Sequence, residues 1–156
     1  MMNYKTTLDI STNVTIQTHD SKTMNVIETI KKHNIVTTVG KNLVASLLGI
    51  KAGVTGINYF AVGTSNTAVA LADTTLGTEV FRNVLTDAVY TNTVVTFKFF
   101  LASTEANGNT LVEAGLFGDN ATGVEDTGDL FAHVVHNPIV KNDGVAITYS
   151  WEISIS

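Results

Sequence analysis

The sequence predicts a mainly β protein, an antiparallel β-sandwich with one short α-helix near residues 39–48. Three observations carry this. The first is segment 145–156, where Val145, Ile147, Tyr149, Trp151, Ile153 and Ile155 fall on one parity and Ala146, Thr148, Ser150, Glu152, Ser154 and Ser156 on the other. Side chains alternate across a strand, so the segment has one apolar and one wet face. The sequence closes on it without a polar tail, which places it in a sandwich or barrel wall. The second is a series of short apolar runs separated by turn residues, the pattern of packed antiparallel sheets. The third is composition: 15% charged residues, 44% hydrophobic residues and a single Pro oppose disorder.

Residues 1–36 read as strands and turns. Val14 and Ile16 alternate with Thr15 and Gln17, 25–31 is a second run rich in Ile and Val, and "THDSKTMN" between them is a turn. The economical reading is one domain over 1–156, with 1–36 as added strands or as a semi-independent N-terminal arm. The helix follows at 39–48. Thr37 or Thr38 is its N-cap, Val39, Leu43, Val44, Leu47 and Leu48 share a face, and Gly49 takes the left-handed C′ position. Too short to be stable alone, this helix packs its stripe on a sheet.

Strands are expected at 57–62, at 78–86 and 87–91, at 93–103 and at 111–117, with a loop of small residues over 63–76. Within 93–103, Val95, Phe97, Phe99 and Leu101 face one way and Thr96, Lys98 and Phe100 the other. Phe100 makes 94–101 apolar on both sides, so this strand is expected to be covered on both faces, by helix, second sheet or neighbouring subunit. "GDNATGVEDTGD" is the most polar loop. Runs 130–135 and 139–141 are separated by His136-Asn137-Pro138, and Asn142-Asp143-Gly144 is a hairpin signal leading into the final strand. Greek-key or jelly-roll order is not specified by these patterns.

Charge excludes some partners. The net charge of −5, without a basic block, gives no electrostatic reason to bind nucleic acid. No apolar run approaches the ~20 residues of a membrane helix, and the N-terminus shows no signal-peptide pattern. The chain has no Cys, which removes disulfides and thiolate metal sites and suits a reducing cytoplasm. No P-loop or dinucleotide fingerprint is present.

The candidate sites are structural ones. Glu79 and Arg82 flank Val80 and Phe81 in an apolar run. Charges there are expensive unless paired, so Arg82 with Glu79 or with Glu113 is a candidate ion pair. His133 and His136, three apart on a strand, point to opposite faces and read as surface or interface histidines, not a metal pair. Asp119, Glu125, Asp126 and Asp129 crowd one loop, but their spacing is not that of an EF-hand, so a solvated acidic loop is expected. Gly63-Thr64-Ser65 lacks the G-x-S-x-G elbow and reads as a strand-end turn. The reading is thus of a non-enzyme with no metal and no cofactor. Phe100, Val26 and Ile30 are the candidate subunit contacts.

The segments "NIVTTVGKNLVASLLGI", "INYFAVGTSNTAVALADTTLGTEVFR", "GNTLVEAGLFG" and "LFAHVVHNPIVKNDGVAITYSWEISIS", in this order, resemble a family of tailed-bacteriophage structural proteins. The resemblance spans residues 34–156 and includes Glu79, Arg82 and Glu113. It implies a virion component assembled in the host bacterial cytoplasm: a tail-fibre, baseplate or collar-type β-sandwich module. Homotrimers and contacts with other virion proteins are implied with it, through rigid edges and through N-terminal strands added to a neighbour. The alternatives are a capsid decoration or head-fibre protein, or a receptor- or carbohydrate-binding sandwich, for which Tyr4, Tyr59, Tyr90 and Trp151 are the ring candidates.

Overall fold

The structure is a computed structural model that describes residues 6–156. Among the described residues, ten strands form two antiparallel sheets of five, with one helix. Sheet A contains β1 (Ile10–Asp20), β2 (Val26–His33), β6 (Asp87–Thr91), β7 (Val94–Leu101) and β10 (Val145–Ile155), in the order β2-β1-β10-β7-β6. Sheet B contains β3 (Ile35–Val36), β4 (Tyr59–Gly63), β5 (Glu79–Val84), β8 (Thr110–Gly118) and β9 (Asp129–Val140), in the order β3-β9-β8-β4-β5. The helix α1 (Thr38–Leu48) packs on β9. The mainly β sandwich with a single short helix is therefore the fold of this chain.

The final strand has the burial its parity predicts: Ile147, Tyr149, Trp151 and Ile153 are buried and Glu152 is exposed. It lies at the centre of sheet A, paired with β7 on one side and with β1 on the other, from Ile10 opposite Ile155 to Asp20 opposite Val145. Residues 10–36 are thus strands of the sandwich. Val14 and Ile16 of β1 are buried in the common core. The aromatic centre of that core is Phe60, stacked on Phe99 at 4.5 Å between ring centroids, with Tyr149 at 4.7 Å and Trp151 edge-on at 6.3 Å. Each such fully buried ring contributes roughly 1.5–3 kcal/mol of transfer free energy, so this quartet joins the two sheets.

Four local features differ from expectation. The turn at Asn142-Asp143-Gly144 does not close a hairpin, because β9 and β10 belong to different sheets. It is a corner in which the Asn142 side chain accepts from the Gly144 N–H at 2.8 Å, an Asx-type closure that needs no left-handed glycine. Second, 129–140 is one strand. Val135 faces Glu113 and Ile139 faces Leu111, so His136-Asn137-Pro138 bulges out of the ladder, which accommodates a Pro that cannot donate to it. Third, the left-handed residue after α1 is Ile50 (φ 51°), not Gly49 (φ −78°). Ile50 N–H donates to the Leu47 carbonyl and Lys51 N–H to the Ser46 carbonyl, the two bonds of a Schellman ending. Fourth, only part of the expected helical stripe is covered: Leu43 is buried, whereas Leu47 and Leu48 are exposed.

The N-terminus of α1 is fixed more tightly. The Thr37 hydroxyl accepts from Gly40 N–H at 2.9 Å and donates to the Leu130 carbonyl. Gly40 lies directly against β9, where an added Cβ would come within 2.3 Å of the Phe131 carbonyl oxygen. Sheet B is also covered on its outer side. Loop residues Leu76 and Ala121 pack with Ala61, Phe117 and Leu130 as a second, smaller apolar cluster. This explains why β8 is buried on both faces from Leu111 to Gly118.

Candidate functional site

Parts of the 57–82, 108–118 and 130–141 segments meet on the outer face of sheet B. Gly63 ends β4 beside Glu113 of β8, and an added Cβ at Gly63 would lie 2.4 Å from Oε1 of Glu113. The buried Glu113 carboxylate accepts from three backbone N–H groups of the flanking loop: Ser65 at 3.1 Å, Thr78 at 2.8 Å and Gly77 at 2.9 Å. One strand over, Gly115 pairs with His133 of β9. His133 is buried, with Nε2 3.0 Å from Oε2 of Glu113 and Nδ1 2.8 Å from Oδ2 of Asp73 in the loop. Asp73 Oδ2 also accepts from Ala70 N–H at 2.8 Å. Together they line a cavity of about 380 Å³ with Thr67, Thr74 and Thr75.

Electrostatics follow from this geometry. Both ring nitrogens of His133 face carboxylate oxygens, an arrangement that requires an imidazolium donating on both sides. Burial pulls the His133 pKa down, but the hydrogen bonds and charges of Glu113 and Asp73 outweigh it and hold the ring above its ordinary 6.5. Burial likewise raises the Glu113 carboxyl, and the His133 and backbone donors outweigh it, leaving Glu113 below its ordinary 4.5. The chemistry of this cluster is anchorage. One carboxylate and one imidazolium fasten the 64–78 loop to two adjacent strands.

A second buried pair holds the opposite loop. Arg82 Nη2 donates to Oε2 of Glu79 at 2.7 Å, Nε donates to Oε1, and Nη1 reaches the carbonyls of Thr127 at 2.9 Å and Thr122 at 3.1 Å. Its guanidinium lies 4.5 Å over the Phe117 ring. Arg82 therefore pairs with Glu79, and Glu113 belongs to His133. The polar "GDNATGVEDTGD" loop, expected to be solvated, is largely exposed and is tied to sheet B by these carbonyls and by buried Ala121.

The remaining sequence candidates are distributed as follows. Ile30 is only 7% exposed and packs in the core of its own chain, which corrects its reading as a subunit contact. Val26 is exposed on edge strand β2. Phe100 is 36% exposed, so the described residues leave the outer face of β7 open. His136 points into the core toward Tyr149, its pKa lowered by burial. Among the described residues, no group of three or more His, Asp or Glu is placed to hold a metal ion. Trp151 is buried, Tyr90 is exposed, and Tyr4 lies outside the described residues.

Sequence reasoning missed two anchors. Asp73 lies sixty positions from His133, with no local pattern to link them. Lys141 is buried in a corner, its ammonium donating to Asn107 Oδ1 at 2.8 Å and to the carbonyls of Ser103 and Asn142, both at 3.2 Å. A lone Lys closing an apolar strand was the available signal.

Among the described residues, no helix is long and apolar enough to cross a membrane. No family model, no curated protein and no solved structure matches this chain.

Proposed function

We propose that this chain is a structural protein of a tailed-bacteriophage particle, a tail-fibre, baseplate or collar component that works by assembling with neighbouring subunits, as a homotrimer. The observation that carries this reading is Ile50. It is 89% exposed, and its backbone is left-handed, which costs a side-chain-bearing residue about 1–2 kcal/mol. The Schellman bonds of Ile50 and Lys51 offset part of the backbone cost, but among the described residues nothing covers the side chain. Exposed Leu47 and Leu48 precede it, beside an apolar groove of about 250 Å³ lined by Leu43, Val44, Tyr90, Ile153 and Ile155. A contiguous apolar surface of this kind marks an interaction site, and a neighbouring subunit is the partner the reading assigns to it.

The rigid loops support the same reading. While His133 is protonated, buried charged networks fasten 64–78 and 119–128 to sheet B, giving a body of fixed shape whose mechanism is contact. The exposed Tyr90 ring at the groove favours receptor or carbohydrate binding as the second reading. Immunogold labelling of intact particles with antibody to this chain tests the assignment. Label on tails or collars is expected. Label on capsids favours a decoration protein, and unlabelled particles contradict a virion role.

A further inference from the structure

We propose that segment 66–75 is a strap over sheet B whose closure is set by the proton on His133, and that it opens from its Asp73 end as pH rises.

The geometry dictates which contact fails. A neutral imidazole carries one N–H, so it can donate to only one of the carboxylates that now flank it. The other then faces a ring lone pair. The Glu113 side chain is 1% exposed and is held by the Ser65, Gly77 and Thr78 N–H groups, so it has no route to water. The Asp73 side chain is 25% exposed and can turn outward. His133 therefore keeps Nε2–H on Glu113 and loses Asp73.

The movement has defined ends. Ser65 at one end stays on Glu113, and buried Leu76 at the other stays in the outer apolar cluster. Between them, Ala70 follows Asp73 because its N–H is bonded to the same oxygen. The one further backbone tether is the Leu71 carbonyl, which accepts from Thr38 N–H in the first turn of α1 at 2.8 Å. Opening uncovers the cavity between the strap, Glu113 and His133.

No other charge confuses the switch. The strap presents Asp73 and β8 presents Glu113, and these are the charges that act on His133. Its cross-strand neighbours are Gly115 and Ile35. His136 on the same strand faces Tyr149, and Lys32 of β2 acts on His136.

Hydrogen exchange on the full chain from about pH 6 to about pH 10, corrected for intrinsic rates, reads the strap against β10. The factor by which Asp73 strengthens proton binding at His133 is the factor by which protonation favours the closed strap, so protection of 66–75 falls by that factor, about tenfold for each pH unit by which Asp73 raises the ring's titration, while β10 protection holds. Asp73→Ala, at a partly exposed position, brings the strap to its alkaline exchange rate already at the acid end. The His133 ring, followed by NMR, titrates above 6.5 in the parent and shifts down in Asp73→Ala. A flat strap profile, equal loss of protection in β10, or an unaltered step in Asp73→Ala overturns the proposal.

Discussion

Arg82 and His133 solve one problem in two ways. Each places a cation in the outer layer of sheet B, where an unpaired charge would cost several kcal/mol. Arg82 is matched by Glu79 and two carbonyls, so removing it strands a buried carboxylate. Arg82→Met should lower unfolding free energy by about 3–5 kcal/mol in denaturant titration, and a loss within about 0.5 kcal/mol would show the pair to be dispensable. His133 and His136 give opposite pH dependences. His133, raised above 6.5, contributes stability that is complete below 6.5 and lost as pH rises through its folded value. His136, lowered by burial, contributes stability present above 6.5 and lost as pH falls through its folded value. Glu113, held below 4.5, adds a further loss when pH falls through its own lowered value. Above pH 6.5 and below the titration of Lys141, the denaturant midpoint should fall as pH rises, and Asp73→Ala should make that fall shallower without abolishing it, because Glu113 still holds the ring. A midpoint that stays flat or rises over that range would contradict the His133 assignment.

At the scale of elements, what could be read from sequence was what repeats locally. β10 and β7 announce themselves by parity, and α1 by its Thr37 N-cap and the apolar pair Leu43 and Val44. What could not be read was set by partners distant in sequence. The signal at Asn142-Asp143-Gly144 describes a turn, but which sheets its strands join depends on β8 and β1. The double burial of β8 depends on two loops folding back over it, and the site itself needed Asp73 to find His133. The ion pair at Arg82 was legible only as a choice between Glu79 and Glu113, because strand parity puts residues three apart on opposite faces, and the register shift beside Glu79 is what brings the two together. Two tests belong here. Gly40→Ala forces a Cβ into the Phe131 carbonyl and should cost about 1–3 kcal/mol by thermal or denaturant unfolding. Ile50→Gly relieves the left-handed strain against a Gly entropy cost of similar size, and should leave monomer stability unchanged or raise it by up to about 1 kcal/mol. A clear destabilisation would mean Ile50 serves its own fold after all.

The aromatic quartet joins the sheets, buried charges fasten the outer loops, and the edges are β2, β6, β3 and β5. Exposed apolar side chains are spread over the surface, with Leu47, Leu48 and Ile50 grouped at the end of α1, Tyr90 and Ile155 at the groove, and Val26 and Ile27 on the β2 edge. The group at the end of α1 is the surface that the proposed assembly would cover. The most direct measurement is the solution mass by light scattering of the parent and of the Leu48→Asp/Ile50→Asp double variant, side by side. Both positions are exposed, so the variant should fold with unchanged circular dichroism. The account predicts a stable trimer for the parent and a monomer for the variant. A monomeric parent, or a variant that keeps the parent's mass, would contradict it.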